Sequence, residues 1–339
     1  MPNQITRSLQ GVGVLILAAI FAAGTANASE RNKKMSAEKS EHSSPELKDN
    51  YATVNGVKLH YVTAGKGKLI MFLHGFPEFW YEWKNQLADF GKDYLAVAPD
   101  MRGYNLSEKP EGVDQYRIPN LIEDVRALAE HLGYKKFTLV GHDWGGVVAW
   151  AFGIAHPECL DKLIIINAPH PGVFQRELQS NPAQQKASAY MLMFRGPQAE
   201  QLLSANDYGA LVGVVLGQGL KEGFFTEADK KAYIEAWSQP GALTGGLNYY
   251  RASHVGPPAE GQKDPENFTS GLPSLDVKVP TLVIWGEKDT ALLTGNLDGL
   301  DKYVPHLTIK RIPDGTHWVI HEKPELVDSY IKEFIKEGK

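Results

Sequence analysis

Short apolar runs that each end in a polar loop recur along most of the chain, and they restrict it to few folds. Amphipathic segments such as 119–132 and 145–155 separate several of these runs. Strands that alternate with helices predict a mostly parallel central sheet with helices on both faces. Function then belongs at the carboxyl ends of the strands. The predicted strands are YLAVAPD (94–100), FTLVGHD (137–143), LIIINAP (163–169), TLVIWGEKD (281–289) and a last one that opens LTIKRIPDGTHW (307–318).

Two further runs precede these strands and predict how the sheet begins. VKLHYVTAG (57–65) alternates in the manner of a strand, GKGK (65–68) is typical of a turn, and LIMFLHG (69–75) is a continuous apolar strand. We therefore expect an opening hairpin of these two strands that leads into the buried sheet.

The segment between the third and fourth of the listed strands predicts a second structural unit. Residues 170–278 show helical periodicity without a long β-branched run. This segment is too long for a simple connection. We predict a helical cap inserted into a core domain that comprises residues 51–169 and 279–339.

The N-terminus has the pattern of an export signal. A basic start is followed by an apolar run, 11–23, and by an Ala-Asn-Ala site that ends at Ala28. This pattern predicts a secretory signal peptide over residues 1–28, and the run is shorter than the ~20 residues of a membrane span. Residues 29–50 are rich in charge and predict a flexible leader. We expect an exported, periplasmic or secreted protein without a stable membrane anchor.

Composition excludes several classes of function. The net charge of −5, without a basic stripe, gives no support to nucleic-acid binding. Cys159 is the lone cysteine and cannot form an internal disulfide. The chain has no phosphate-binding glycine loop, no dinucleotide fingerprint and no histidine pair at zinc spacing, so we predict no cofactor and no metal. The sequence leaves the oligomeric state open, and a homodimer is compatible with it.

The stretch LVGHDWGG (139–146) carries the first candidate for chemistry. A strand that enters Gly-x-nucleophile-x-Gly and then a helix predicts a sharp elbow with one exposed side chain at its tip. That side chain is Asp143. An acidic residue near a helix N-terminus is also favoured by the helix dipole alone, but the strand-to-helix context favours a nucleophile.

The order nucleophile, acid, histidine predicts the partners of this aspartate. His317 in the loop after the last strand is the candidate general base. Asp289 is the candidate acid that orients it, with Glu287 as the competitor, because Asn167 at the other common position carries no charge. We interpret His142 as a satisfied core or surface residue.

Two main-chain N–H groups are candidates for an oxyanion site. They belong to Trp144, which follows the nucleophile, and to Phe76 in HGFP (74–77), although HGFP is also compatible with a simple tight turn. A carboxylate nucleophile suits a saturated carbon with a leaving group, which gives an alkyl-enzyme ester. Water activated by His317 would then attack the carbonyl of Asp143.

The motifs together resemble the α/β-hydrolase superfamily and, within it, the epoxide hydrolases, which are related to haloalkane and fluoroacetate dehalogenases. The resemblance covers nearly all of residues 51–337. The motifs are HGFPEFWYEW (74–83), DMRGYNLSEKP (100–110), GHDWGG (141–146), INAPHPGVF (166–174), SQPGAL and LNYYR within 238–251, WGEKD (285–289) and THW (316–318).

This resemblance implies further roles in the cap and the core. Tyr250, just before the arginine of LNYYR, and Tyr190 are implied as hydroxyl donors that assist ring opening, whereas Tyr249 is implied to pack. The resemblance also implies a cis peptide between Phe76 and Pro77. The expected substrates are a small apolar epoxide and water.

Two other functions are weighed against epoxide hydrolysis. A dehalogenase would use the same three groups, but many haloalkane dehalogenases have a donor side chain at the position of Phe76. Fluoroacetate dehalogenases have arginine at the position of Trp144. A secreted effector or binding protein with a vestigial site is the third possibility, and it would not require the complete set of catalytic residues. We expect an epoxide hydrolase, and the sequence leaves the identity of the epoxide and the selectivity open.

Overall fold

The computed structural model describes residues 45–258, 272 and 274–336, and within them a single eight-stranded sheet organises the chain. The strand order is β1-β2-β4-β3-β5-β6-β7-β8. The strands from β3 to β8 are parallel to one another, and β2 is antiparallel to both β1 and β4. The predicted fold class is confirmed. The strands are β1 (Lys48–Val54), β2 (Val57–Gly65), β3 (Leu69–Leu73), β4 (Leu95–Pro99), β5 (Phe137–His142), β6 (Leu160–Ile166), β7 (Thr281–Gly286) and β8 (Leu307–Ile312).

The start of the sheet differs from the prediction in two ways. The hairpin joins β1 to β2 through Asn55 and Gly56, whose φ angles of +48° and +75° suit a tight two-residue turn. The predicted hairpin of β2 with β3 is wrong because β4 pairs between them. Lys48 to Asn50 belong to β1 rather than to the predicted leader. The predicted signal peptide, 1–28, and leader residues 29–44 lie outside the described residues.

Helices cover both faces of the sheet, and the strand residues alternate between two apolar cores. Met71 and Leu73 of β3 face one core, and Ile70 and Phe72 face the other. The helices are α1 (Lys84–Phe90), α2 (Ile118–His131), α3 (Asp143–Ala155), α4 (Pro171–Ser180), α5 (Pro182–Ala187), α6 (Tyr190–Arg195), α7 (Ala199–Leu211), α8 (Gly217–Glu222), α9 (Glu227–Trp237), α10 (Ala242–Ser253), α11 (Val319–Glu322) and α12 (Pro324–Lys336). The first core includes α2 and α3, and the second includes α1 and α12.

The helices α4 to α10 all lie between β6 and β7, within the segment 170–278 that was predicted as a cap. These helices are called the cap below. Helix α7 is interrupted at 205–208, where Asn206, Asp207 and Tyr208 have left-handed φ angles of 52°, 54° and 59°. A π-helical turn, Val212–Leu216, joins α7 to α8. In the part of the chain that the structure describes, no helix has the length and apolar character needed to cross a membrane.

Candidate active site

The predicted nucleophile, Asp143, lies at a sharp turn between a buried strand and a buried helix. Strand β5 ends at His142, and α3 begins at Asp143 with a φ of +48°, a region that non-glycine residues rarely adopt. A side chain on Gly141 or Gly145 would collide with neighbouring main chain. The strand-to-helix elbow expected from LVGHDWGG therefore forms, and it holds the carboxylate in a strained conformation of the kind found at functional sites.

The HGFP loop after β3 supplies a hydrogen-bond donor to this carboxylate. The main-chain N–H of Phe76 donates to Asp143 Oδ1 at 2.8 Å. A Cβ on Gly75 would lie 2.5 Å from the Cβ of Asp143, so only glycine permits this approach. The peptide between Phe76 and Pro77 is cis, which confirms the expectation from the resemblance. Trp144 is in the first turn of α3, where main-chain N–H groups have no partner within the helix.

The loops after β7 and β8 bring the predicted base and acid together beside Asp143. His317 Nδ1 lies 2.7 Å from Asp289 Oδ2, and His317 Nε2 lies 3.6 Å from Asp143 Oδ2. The competitor Glu287 instead pairs with Arg311 in an exposed contact at 2.9 Å. The geometry therefore favours Asp289 over Glu287 as the carboxylate that orients the imidazole.

The contacts among Asp143, Asp289 and His317 determine which of these side chains are protonated. Burial raises the pKa of Asp143, but the hydrogen bond and charge of His317 outweigh it, and the pKa lies below its ordinary value. Burial also raises the pKa of Asp289, but the charge and hydrogen bond of His317 outweigh it, and this pKa too lies below its ordinary value. Burial lowers the pKa of His317, but the charges of Asp289 and Asp143 raise it well above its usual range. The free site thus holds an imidazolium between two carboxylates.

Asn167 is a member of the site that the sequence reasoning treated only as a failed candidate for the acid. Its Nδ2 donates to Asp289 Oδ2 at 2.8 Å, and its Oδ1 accepts the N–H of Gly286 at 2.8 Å. The residue has a left-handed φ of 39° directly after β6. It therefore holds the acid of the neighbouring strand in place. The sequence feature that could have identified Asn167 as part of the site is its position directly after a predicted strand.

His142 is a buried, satisfied residue, as interpreted from the sequence, but its hydrogen bond reaches the base. Its Nε2 lies 2.9 Å from the carbonyl oxygen of His317, and its Nδ1 contacts Glu82. Burial lowers the pKa of His142 to about 4, whereas burial and the charge of Glu78 raise the pKa of Glu82 well above its usual range. A neutral His142 therefore donates from Nε2 to the main chain of His317 and accepts from the Glu82 hydroxyl.

Two tyrosines of the cap face the nucleophile across one cavity. Tyr190 at the start of α6 and Tyr250 in α10 line this cavity together with Asp143 and Trp144. Burial and the charge of Asp143 raise the pKa of both phenols well above their usual range, so both hydroxyls stay protonated. Tyr249 points elsewhere, because its hydroxyl donates to the carbonyl of Arg102 at 2.9 Å.

The cavity has a mostly apolar wall. Among the described residues that line it, Asp143 is the only charged side chain. Such a wall suits an apolar, uncharged ligand. In the same part of the chain, no group of three His, Cys, Asp or Glu side chains is placed to hold a metal ion. The apolar lining includes Ile118, Val147, Ala151, Phe174, Met191, Val255, Leu272 and Leu292.

Comparison with known proteins supports the resemblance over more than four fifths of the chain. The profile of the alpha/beta hydrolase fold family matches residues 68–324. An AB hydrolase superfamily protein of Bacillus subtilis is 42% identical over 86% of this chain and 98% of its own length. Epoxide hydrolase 4 of Mus musculus is 38% identical over 84% of this chain and 77% of its own length. The crystal structure of a Bacillus megaterium epoxide hydrolase with an inhibitor is 39% identical, covers 85% of this chain and 100% of that chain, and has a TM-score of 0.79.

The sheet order, the inserted helices and the elbow at Asp143 define an enzyme of the α/β-hydrolase class. These relatives match the core as well as the inserted helices, since each alignment spans more than four fifths of the chain. The chain belongs to the α/β-hydrolase fold family and, within it, to the epoxide hydrolases.

Proposed function

We propose that this protein converts a small, apolar epoxide and water into a vicinal diol through a covalent ester on Asp143. The observation that carries the proposal is one cavity that brings the carboxylate of Asp143 together with the hydroxyl-bearing rings of Tyr190 and Tyr250. A carboxylate suits attack on a saturated carbon, and a neutral phenol suits the alkoxide that leaves.

In the first step, Asp143 Oδ2 is the attacking atom because Oδ1 already accepts the N–H of Phe76. The attack forms the ester bond and breaks one carbon–oxygen bond of the ring. Hydrogen bonds from Tyr190 and Tyr250 stabilise the alkoxide. The proton that converts it to an alcohol comes ultimately from His317, whose pKa falls once Asp143 has lost its charge.

In the second step, the neutral imidazole of His317 removes a proton from water, and the hydroxide attacks the carbonyl carbon of the ester. The main-chain N–H groups of Phe76 and Trp144 stabilise the oxyanion. Asp289 stabilises the imidazolium that forms. Collapse breaks the ester bond, the acid proton passes to the departing diol oxygen, and the initial charges are restored.

The cavity also supports a class of substrate. Its wall offers no cationic partner for a carboxylate among the described lining residues, which favours neutral epoxides. A variant of the Bacillus megaterium enzyme, at 39% identity, has been crystallised with a naphthyloxy-propanediol product. An epoxide with an aromatic substituent, such as styrene oxide, is therefore a suitable first substrate.

His317→Gln tests the chemistry directly. The tyrosine hydroxyls can still protonate the alkoxide and then regain a proton from water, so the first step should proceed, whereas the second step should stall without its base. The variant is exposed separately to styrene oxide and to 1-bromobutane, and its intact mass is recorded. We expect an adduct with the mass of the whole epoxide, mapped to Asp143. A butyl adduct from the bromoalkane alone would make the protein a dehalogenase.

No adduct from either reagent, with no diol formed by the wild type, would contradict the proposal and favour a binding protein with a vestigial site. The combined variant His317→Gln with Asp143→Asn is the control, since it retains the cavity and lacks the nucleophile.

We propose in addition that the protein is exported. The support is the sequence pattern of residues 1–28, with cleavage before Ser29. N-terminal sequencing of the protein recovered from the periplasm of a bacterial host should read from Ser29. A cytoplasmic product that retains Met1 would contradict export and leave the catalytic proposal unaffected.

A further inference from the structure

Gln184 of helix α5 joins the cap to the loop that follows β7. Its side chain is completely buried, at 0% exposure. Its Nε2 donates to the carbonyl of Ala291 and to Ser188 Oγ, both at 2.8 Å. Its Oε1 accepts from the N–H of Leu293 and from Asn296 Nδ2, both at 2.9 Å. The amide thus has both donors and both acceptor sites occupied, three of them by residues of the loop.

The same loop orients the acid of the active site. Asp289 Oδ1 accepts the N–H groups of Ala291 at 2.8 Å and of Leu292 at 2.9 Å. Its Oδ2 is left to bind Asn167 and His317. The rotation of the carboxylate therefore depends on where the main chain at 291–292 lies. Gln184 binds this main chain at the flanking carbonyl of residue 291 and N–H of residue 293.

On the cap side, Gln184 lies six residues before Tyr190, a candidate ring-opening tyrosine at the start of the next helix. Its carbonyl accepts the N–H of Ser188 at 2.9 Å, and the carbonyl of Ser188 accepts the N–H of Met191 at 3.0 Å. Tyr190 and Met191 both line the cavity. Main-chain hydrogen bonds connect Gln184 with the cavity-lining residues of the cap. The hydrogen bonds that connect Gln184 with the loop after β7 are made by its side chain.

We propose that Gln184 is a positioning residue that holds the Asp289 loop against the cap and so aligns His317 for hydrolysis of the ester. This inference rests on the proposed function. Loss of the amide frees the loop main chain, and the misaligned Asp289 stabilises the imidazolium less. Ring opening is carried by the Asp143 carboxylate and the tyrosine hydroxyls, and His317 only replaces the proton that they give up, so the second step is affected more than the first.

The loop does not depend on Gln184 alone for its folding. Arg176 of α4 donates from Nη2 to the carbonyl of Gly295 at 2.9 Å and from Nη1 to the carbonyl of Asp298 at 2.7 Å. Removal of the Gln184 amide therefore leaves the far end of the loop attached to the cap. This permits a functional test in a folded protein.

The test compares Gln184→Leu with Gln185→Leu in the full chain. Gln185 is the matched control, because its Nε2 donates only within the cap, to the carbonyl of Leu178 at 2.9 Å and of Gln179 at 3.3 Å. Rapid quench and intact mass with styrene oxide give the rates of ester formation and ester decay. For Gln184→Leu we expect formation within about twofold of the wild type and decay roughly 10- to 100-fold slower, from misplacement of the catalytic groups.

The pH dependence of ester decay separates positioning from general destabilisation. In Gln184→Leu, we expect the apparent pKa of the base to fall, because a misaligned Asp289 supports the imidazolium less. Equal decay rates and profiles for the two leucine variants would overturn the inference. Failure of the wild type to form an ester would instead contradict the proposed function.

Gln184→Glu keeps the test decisive if the leucine variant does not fold. The new carboxyl keeps the acceptor for Leu293 and Asn296 but replaces the donor that faces the carbonyl of Ala291. We expect slower ester decay than in the wild type, and a larger defect as pH rises and the carboxyl ionises. Wild-type decay at every pH would overturn the inference.

Discussion

At the scale of single residues, the two cap tyrosines differ from their neighbour in what their hydroxyls face. Tyr190 and Tyr250 line the cavity with Asp143, whereas the hydroxyl of Tyr249 is occupied by the carbonyl of Arg102. Because burial and the nearby carboxylate raise the pKa of both lining phenols, they remain donors across the neutral range.

Removal of these hydroxyls should slow ring opening and leave ester hydrolysis unchanged. We expect Tyr190→Phe and Tyr250→Phe each to reduce the rate of ester formation by about 100-fold, the lower end of general acid catalysis. The double variant should be slower than either. Single-turnover mass spectrometry with styrene oxide measures both steps.

Tyr249→Phe is the control, and it should form the ester at the wild-type rate. Unchanged ester formation in both Tyr190→Phe and Tyr250→Phe would remove the tyrosines from the mechanism.

At the scale of elements, helix α9 of the cap is hydrogen-bonded to the HGFP loop and to the residue that follows it. Trp237 Nε1 donates to the carbonyl of Pro77 at 2.6 Å, and the hydroxyl of Tyr233 donates to Glu78. The loop that presents the N–H of Phe76 is therefore attached to the cap as well as to β3.

Trp237→Phe should weaken this attachment. It leaves the carbonyl of Pro77 buried without its donor, which costs about 1–3 kcal/mol, and it lowers kcat more than it raises KM because the oxyanion donor is less firmly placed. Urea unfolding and steady-state kinetics measure the two effects.

Trp83→Phe is the control for loss of volume, since the Nε1 of Trp83 is buried without a partner in the part of the chain described here. It should destabilise the fold without the fall in kcat. Equal kcat values for the two variants would contradict a role for Trp237 at the oxyanion site.

The inner strands were predictable from sequence because both of their faces are apolar. Every residue of β3 and β5 is buried. Strand β1 was missed because its pattern is that of an edge: Tyr51 is 49% exposed and Asn50 and Lys48 are polar. Pairing order depends on which strand enters between two others, and no local pattern encodes that. The Asn-Gly turn at 55–56 was the signal that could have located the hairpin.

The candidate site divides in the same way. The proximity of Asp143, His317 and Asp289 was predictable because each follows a strand in a fixed chain order. The contributions of Asn167 and Gln184 depend on hydrogen bonds with residues more than a hundred positions away. Those partners become visible only once the fold brings them together.

At the scale of the whole molecule, stability should depend on pH through a carboxyl far from the site. Asp328 of α12 is 5% exposed and accepts from Gln86 Nε2 at 2.9 Å. Burial raises the pKa of Asp328 to about 7; the Gln86 hydrogen bond opposes the rise and the charge of Asp89 adds to it. The native state thus binds a proton that the unfolded chain releases above pH ~3.9.

The contribution of Asp328 to the free energy of unfolding should therefore fall as pH rises from about 4 to about 7. Asp328→Asn removes this dependence, so the variant should gain stability relative to the wild type across that window. Urea unfolding at both ends of the window measures the difference. Asp301→Asn, at an exposed position, is the control. A constant difference between Asp328→Asn and wild type would show that this carboxyl does not titrate with the fold.

The two oxygen atoms of the nucleophile face different partners, and this gives them different lifetimes. Oδ1 lies 2.8 Å from the N–H of Phe76, and Oδ2 lies 3.6 Å from His317 Nε2. In the proposed mechanism, each turnover carries the Oδ2 atom away in the diol and replaces it from water. In water enriched in oxygen-18, repeated turnover should leave one heavy oxygen on Asp143, whereas two would show that the carboxylate rotates between cycles. With one heavy oxygen, one atom of this residue would be renewed at every cycle while the other stays for the life of the chain.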